Sequence, residues 1–296
     1  MATCVRQAWL VLGAQTVQLE NVAAGWACDS LDLGYPTVRA VTNNRPDTDG
    51  IDDRTTLMGE RAVSASIHAF ASGGASIDAI AASFAPFMVP SVRPVLHYVL
   101  DRPGTPERIM TLRAANYTWA VVGPADRAIH LQWVAADPAA RDPTQQTATS
   151  FSGSSTGAGR GYNLTFNRTY PSGGGSASSA TITSPGDVAV RPLLRIYGPI
   201  TAPAVAFTPN AGLVAFQPTM VVSGGHYIEV DCAARTAYLD GDRTQNVLTQ
   251  MDWPTMNAQG GWPLIPPHTT VTMSLTGQST GGSTQVQAFW NDGYLT

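Results

Sequence analysis

Two all-β domains are predicted for this chain from three observations. Apolar residues recur with period two, Gly, Pro and Asn/Asp turn signals punctuate those runs, and composition shifts abruptly after Trp133. In AIHLQWVAA, Ile129, Leu131 and Trp133 fall on one face, with His130 and Gln132 on the other. TVTMSL sets Val271, Met273 and Leu275 opposite Thr272 and Ser274, and HYIEVDC sets Ile228, Val230 and Cys232 opposite Tyr227, Glu229 and Asp231. Such alternation describes antiparallel strands with one buried face. A parallel α/β architecture is not expected, because a single segment, SIDAIAASFAPF, reads as a helix. Ser76 is its candidate N-cap, Ile77, Ile80 and Phe84 share a face, and Pro86 ends it.

The N-terminal stretch MATCVRQAWLVLGAQTVQLEN has too short an apolar run for a secretory leader and passes straight into alternating residues. No stretch approaches the roughly 20 apolar residues of a membrane helix. The expectation is a soluble chain made in a cytoplasm. After Trp133, AADPAARDPTQQ reads as a linker, with Pro138 and Pro143 interrupting ladder pairing. The first domain is therefore assigned to residues 1–136 and the second to 137–296. The latter opens with a Gly/Ser-rich loop at about 150–184, and SGGGSASSA, near residues 172–180, is its most mobile part.

Charged residues make up 13% of the chain, about half the usual share of roughly 25%. Every cation is Arg, with no Lys, and the net charge of −4 offers no basic field for nucleic acid. Cys4, Cys28 and Cys232 are odd in number and far apart, so they are expected buried and reduced rather than paired or zinc-binding.

The densest chemistry lies in NNRPDTDGIDDRTTLMGERAVSASI, residues 43–67, where Asp47, Asp49, Asp52 and Asp53 surround Gly50. Counted as a calcium loop from Asp47, the fifth position is Ile51, the sixth Asp52 and the twelfth Met58, so the ligand register fails. No structural calcium is expected there. GSSTG, with Ser155 central, matches a nucleophile elbow in letters, but it lacks the preceding buried strand and following helix. GAGRG opens no helix and lacks the third glycine of a dinucleotide-binding fingerprint, whose place Tyr162 takes. Glu229 and Asp231 are the best carboxylate pair for a hydrolase, about 7 Å apart on one strand face. The same spacing suits any solvated sheet. His68, His97, His130, His226 and His268 show no metal-ligand spacing. Asn163 and Asn167 head formal glycosylation sequons. No enzyme, no metal site and no cofactor are expected.

Three stretches carry a resemblance. RTTLMGERAVSASI with SIDAIAASFAPF and RPVLHYVL is the first; SPGDVAVRPLLRIYGPITAPAVAF, residues 184–207, is the second. The third is GGHYIEVDCAARTAYLDGD followed by WPLIPPHTTVTMSL and VQAFWNDGYL. In this order they resemble the distal tail protein (Dit) family of long-tailed phages, often labelled minor tail proteins in phages of actinobacteria. The resemblance implies an N-terminal β-sandwich belt domain with one short helix and an outward-facing, galectin-like C-terminal β-sandwich. It also implies a homo-hexameric hub at the distal end of the tail in the virion, assembled in the host cytoplasm. The hub would join the tail tube protein to the tail-tip, tail-associated-lysin-like protein, with the tape measure protein a further candidate partner and no membrane contact. On that reading residues 1 to about 136 close the ring. Arg39, Arg45, Asp49, Asp52, Arg54 and Arg61 are then candidates for the subunit interface, through Arg–carboxylate pairs that set register. The alternative is a carbohydrate-binding module contacting host glycans, with Trp253 and Trp262 as stacking candidates and Trp290, in strict alternation with Val286 and Ala288, as core.

Overall fold

The computed structural model describes residues 5–44, 51–70, 77–123, 126–151, 179–209, 211–279 and 284–295, without the side chains of 39–44, 51–57 and 279. The chain divides into two units, Met1–Pro143 with Gly293–Thr296, and Thr144–Asp292.

The first unit begins with β1 (Val5–Leu12), β2 (Gln15–Gln18), β3 (Trp26–Asp32), β4 (Pro36–Asn44) and β5 (Ile51–Phe70). After α1 (Ile77–Phe84) come β6 (Val95–Leu100), β7 (Arg108–Thr111), β8 (Arg113–Gly123), β9 (Asp126–Ala135) and β10 (Ala140–Arg141). One sheet runs β2-β1-β6-β7-β10 and ends on residues Gly293–Tyr294; the other runs β3-β5-β9-β8, with β4 also paired to β5. Alternation fills the core as expected. Val63, Ala65 and Ile67 of β5 and Ile129, Leu131 and Trp133 of β9 meet Leu10, Leu96, Tyr98 and Met110 of the other sheet. Each such large side chain, fully buried, contributes roughly 1.5–3 kcal/mol. The helix adds Ile80, Ala81 and Phe84, and the Phe84 ring meets Trp26 edge-on at 5.7 Å. Pro86 stops α1, and the chain continues as a 3-10 turn over Ala85–Met88. The expected N-cap, Ser76, lies outside the described residues.

The second unit holds β11 (Gln146–Phe151), β12 (Ser179–Ser184), β13 (Leu193–Tyr197), β14 (Ile200–Thr208), β15 (Leu213–Ala215), β16 (Val221–Val222), β17 (Tyr227–Asp231) and β18 (Thr236–Leu239). It closes with α2 (Trp253–Ala258), β19 (Thr269–Ser279) and β20 (Gln285–Trp290); Gly293–Tyr294, in the first unit, is β21. Its two sheets, β11-β20-β13-β17-β18 and β12-β19-β14-β15 with β16 on β14, share one core. Val271, Met273, Leu275, Ile228, Val230 and Cys232 all point into it. Among the described residues no helix is long and apolar enough to cross a membrane.

Four local expectations are corrected. The run read as a linker contributes β10, whose Arg141 pairs with Ile109 on one side and Gly293 on the other. Pro138 and Pro143 flank this strand instead of interrupting it. The first compact unit accordingly extends to residue 143 and takes back residues 293–296. Both ends of the Gly/Ser-rich stretch are strand: Phe151 pairs with Gln285, and Ser179 with Ser274. The core of that stretch, with Ser155, Asn163 and Asn167, lies outside the described residues. A second helix, α2, was not expected; Asp252 caps it by accepting from the Thr255 amide, and Pro254 sits in its first turn.

Candidate functional site

Three places gather chemistry or exposed apolar surface. The first is a pair of buried guanidinium groups in the first unit. Arg61 leaves 2% of its surface exposed, although it was expected to reach a neighbouring subunit. Its position explains the burial: Arg61 continues the inward series Val63, Ala65, Ile67 on β5. Its Nε donates to the Leu33 carbonyl at 2.7 Å, and Nη1 donates to Pro138 O at 3.2 Å. Nη2 donates to Gly34 O at 3.1 Å and Leu295 O at 2.9 Å. Burial pulls its pKa below the ordinary arginine value. Arg108, also buried, lays its guanidinium 3.4 Å from the centre of the Tyr294 ring and faces Asp142 at 3.7 Å. Both cations are thus spent holding residues 293–295 and the β10 segment, and Arg61 is withdrawn from the interface set. Of the other candidates, Arg45 and Asp49 lie outside the described residues. Arg39 lies on β4, and Asp52 and Arg54 on β5, with only their backbone described. Asp52 faces Asn43 across the β4–β5 ladder.

The second place is the two opposite edges of the β3-β5-β9-β8 sheet. Among the described residues β8 pairs with β9 alone, and it exposes Trp119, Val121 and Val122. On the far side of β5, Tyr35, Val38 and Met58 are exposed near the base of the β4–β5 hairpin. Sequence alternation did not single these residues out, because long-range pairing, not the local pattern, sets which strand stands at an edge.

The third place is the outer face of the β17-bearing sheet. Glu229 Oε2 accepts from Arg195 Nε at 2.9 Å, which raises the Arg195 pKa. The Arg195 guanidinium lies 5.5 Å from the Tyr227 ring centre and 5.3 Å from that of Phe289. Asp231 is engaged in its own turn: its Oδ1 accepts from the amides of Ala233 and Ala234 at 2.8 Å. A polar depression of about 240 Å³ opens beside these two, lined also by Thr236, Tyr238 and Arg243. Trp253 and Trp262 do come together, 5.8 Å apart with rings at 65°, so they make an edge-to-face pair rather than a flat platform. Trp253 is 37% exposed, Trp262 packs against the core, and Trp290 is buried.

The histidines sit apart, each with its own partner. His97 pairs with Glu107, His226 with Asp240, His268 with Asp187 and His68 with Asp126, while His130 meets Ser66. Among the described residues no group of three or more His, Cys, Asp or Glu is placed to hold a metal ion. Cys28 and Cys232 are both free thiols. Burial pushes the Cys28 thiol up to about 11, and that of Cys232, inside the core, higher still.

No protein-family model matches the chain. No curated protein matches it in sequence. Solved structures do match in fold. The Dit protein of phage SPP1, described as a paradigm of the hub adsorption apparatus in phages infecting Gram-positive bacteria, aligns over 97% of this chain and 99% of its own. The TM-score is 0.59 and the identity 12%. Chains of the phage p2 baseplate in its activated conformation align with TM-scores of 0.46 with calcium and 0.47 with strontium, at 14% and 16% identity. They cover 96% and 97% of this chain and 98% of each of theirs. The end-to-end alignment with the SPP1 protein meets the resemblance read from the three sequence stretches: this chain has the fold of a phage distal tail protein.

Proposed function

We propose that the chain is a structural component of a phage tail tip, a hexameric hub that joins the tail tube to the adsorption apparatus in the virion. The observation that carries this reading is the alignment of nearly the whole chain with nearly the whole SPP1 Dit protein, both units included. The polar groups a hydrolase would have used are engaged structurally, Glu229 by Arg195 and Asp231 by its turn amides, and no catalytic role is assigned. The partners on this reading are the tail tube and tail-tip proteins, with assembly in the host cytoplasm. Light scattering of the purified full-length protein, with electron images averaged by symmetry, tests it. A six-fold ring is expected; a chain that stays monomeric and fails to join a ring when mixed with its tube and tip neighbours overturns the reading.

A second reading, glycan binding, keeps one specific observation: Trp253 is exposed beside Trp262. A glycan array comparing the wild-type chain with Trp253→Ala decides it, and equal, background signals from both remove it.

A further inference from the structure

We infer that the two exposed edges of the β3-β5-β9-β8 sheet are the two halves of one head-to-tail contact between copies of this chain. The β8 edge of one copy, carrying Trp119, Val121 and Val122, docks against the Tyr35, Val38 and Met58 surface of the next. This rests on the hub reading above and names the surfaces that the reading needs.

The first ground is exposure. Val121 is 70% exposed, Val122 65% and Trp119 49%; on the other side Tyr35 is 72%, Val38 70% and Met58 43%. Single exposed apolar residues are ordinary, but two clusters that include a Trp and a Tyr mark interaction surfaces. The second ground is the backbone. Among the described residues β8 has β9 as its one strand partner, so its outer N–H and C=O groups have no ladder partner, a kind of edge that folded proteins ordinarily cover or blunt. Bulges after Ala114 and Val121 interrupt its register with β9, but it lacks proline, and its outer half, TWAVV, is uncharged and presents apolar side chains. The third ground is the β4–β5 ribbon. β9 reaches β5 only from Arg61 onward, so among the described residues Ile51–Glu60 has β4 alone as a strand partner. A two-stranded ribbon is marginal by itself and gains stability from packing on another surface.

The topology decides which kind of partner fits. β8 is one edge of the sheet, while β3 and β4 lie beyond β5 at the other. A two-fold dimer would bury one cluster against its own copy and leave the other open. A contact between unlike edges buries both and repeats, and such repetition closes a ring when the rotation between copies divides a full turn. Charge agrees with that pairing. Arg127 stands beside Trp119, its guanidinium 5.9 Å from the ring centre, and its Nη1 donates to the carbonyls of Gly123 and Asp126. Glu60 lies two residues beyond Met58 on β5, is exposed, and has no ion pair among the described residues. A cation beside one apolar cluster thus has an acid beside the other.

The test uses the full-length chain. Val121→Asp with Val122→Asp places two carboxylates on surface that is open in the single subunit, so folding is retained and a melting curve verifies it. Association should weaken at least about a hundredfold, read as a shift from ring to monomer by light scattering. A second variant reads the geometry: Val38→Cys combined with Val121→Cys should give, on mild oxidation, a ladder of covalent multimers, whereas each single cysteine should behave as wild type. Rings that persist in the double aspartate variant overturn the edge contact but leave the hub reading standing. Covalent dimers from Val121→Cys alone overturn the head-to-tail geometry in favour of a two-fold one. A wild-type chain that never forms a ring, even with its tail neighbours, overturns both.

Discussion

Arg61 donates a hydrogen bond from Nη2 to the Leu295 carbonyl at 2.9 Å, across 234 positions of sequence. The same guanidinium bonds Leu33, Gly34 and Pro138, so one side chain joins a turn, the segment before β10 and the segment after β20. Its five donors suit this task, since carbonyl dipoles satisfy the fork without a carboxylate.

Arg61→Met should therefore lower the stability of the first unit by about 3 kcal/mol, because several buried carbonyls lose their donor together. Thermal unfolding followed by near-ultraviolet circular dichroism checks this. Arg61→Lys should recover only part of the loss, since one ammonium cannot span the same fork. Equal stability of wild type and Arg61→Met would show that the network is incidental.

Gly34 should resist replacement. Its φ is +59°, and a Cβ there would stand 2.2 Å from the Ala62 carbonyl oxygen. Gly34→Ala combines left-handed strain with a backbone clash, so a loss of about 2–4 kcal/mol is expected. Denaturant titration at constant slope reads it. Gly13, also at φ +59° but with nothing within 4 Å, is the control and should lose no more than about 1–2 kcal/mol on the same substitution.

Cys28 should be a slow thiol. Burial is the first cause of its rise to about 11, with Glu20 adding to it. At pH 8 the thiolate is scarce, and alkylation by iodoacetamide should run roughly a hundredfold slower than that of a free cysteine. The rate should keep climbing above pH 9, where an ordinary thiol has levelled off. Mass spectrometry of the labelled peptide resolves it from Cys232.

Asp240 should make the second unit acid-sensitive. Its pKa is lowered, first by the hydrogen bond from His226 and then by the Tyr227 amide. A depressed carboxylate stabilises the fold above its unfolded pKa, near 4, and that contribution disappears as pH falls through the lower folded value. Wild type should thus lose stability from about pH 4 downward, and Asp240→Asn should show a flatter acid limb. Parallel acid limbs in the two proteins would refute the assignment.

Much of the fold was legible because the period of a strand is local. Ile129, Leu131 and Trp133, or Val271, Met273 and Leu275, declare their face from positions two apart, and each is buried where the alternation placed it. The short helix α2 escaped notice because WPTMNA is six residues long and carries a single buried side chain, Met256. Its signal was the Asp252 cap followed by Pro254. Arg61 was misjudged because a charged residue beside an Asp-rich loop reads as surface, whereas its place in the inward series with Val63 pointed the other way.

By itself the sequence determined the all-β class, the two units and the faces of the strands around Leu131, Val230, Met273 and Ala288, since these follow from turn chemistry and a two-residue repeat. Only the tertiary structure decided which strands became edges, and so left Trp119 and Val121 open while Trp133 is covered. It alone brought Gly293–Tyr294 back beside β10 and assembled the carbonyls around Arg61. The physical reason is separation: the Pro138 and Leu295 carbonyls lie 77 and 234 positions from Arg61. No local periodicity carries information over that distance. Sheet order emerges from which long-range pairings bury the most apolar surface at once.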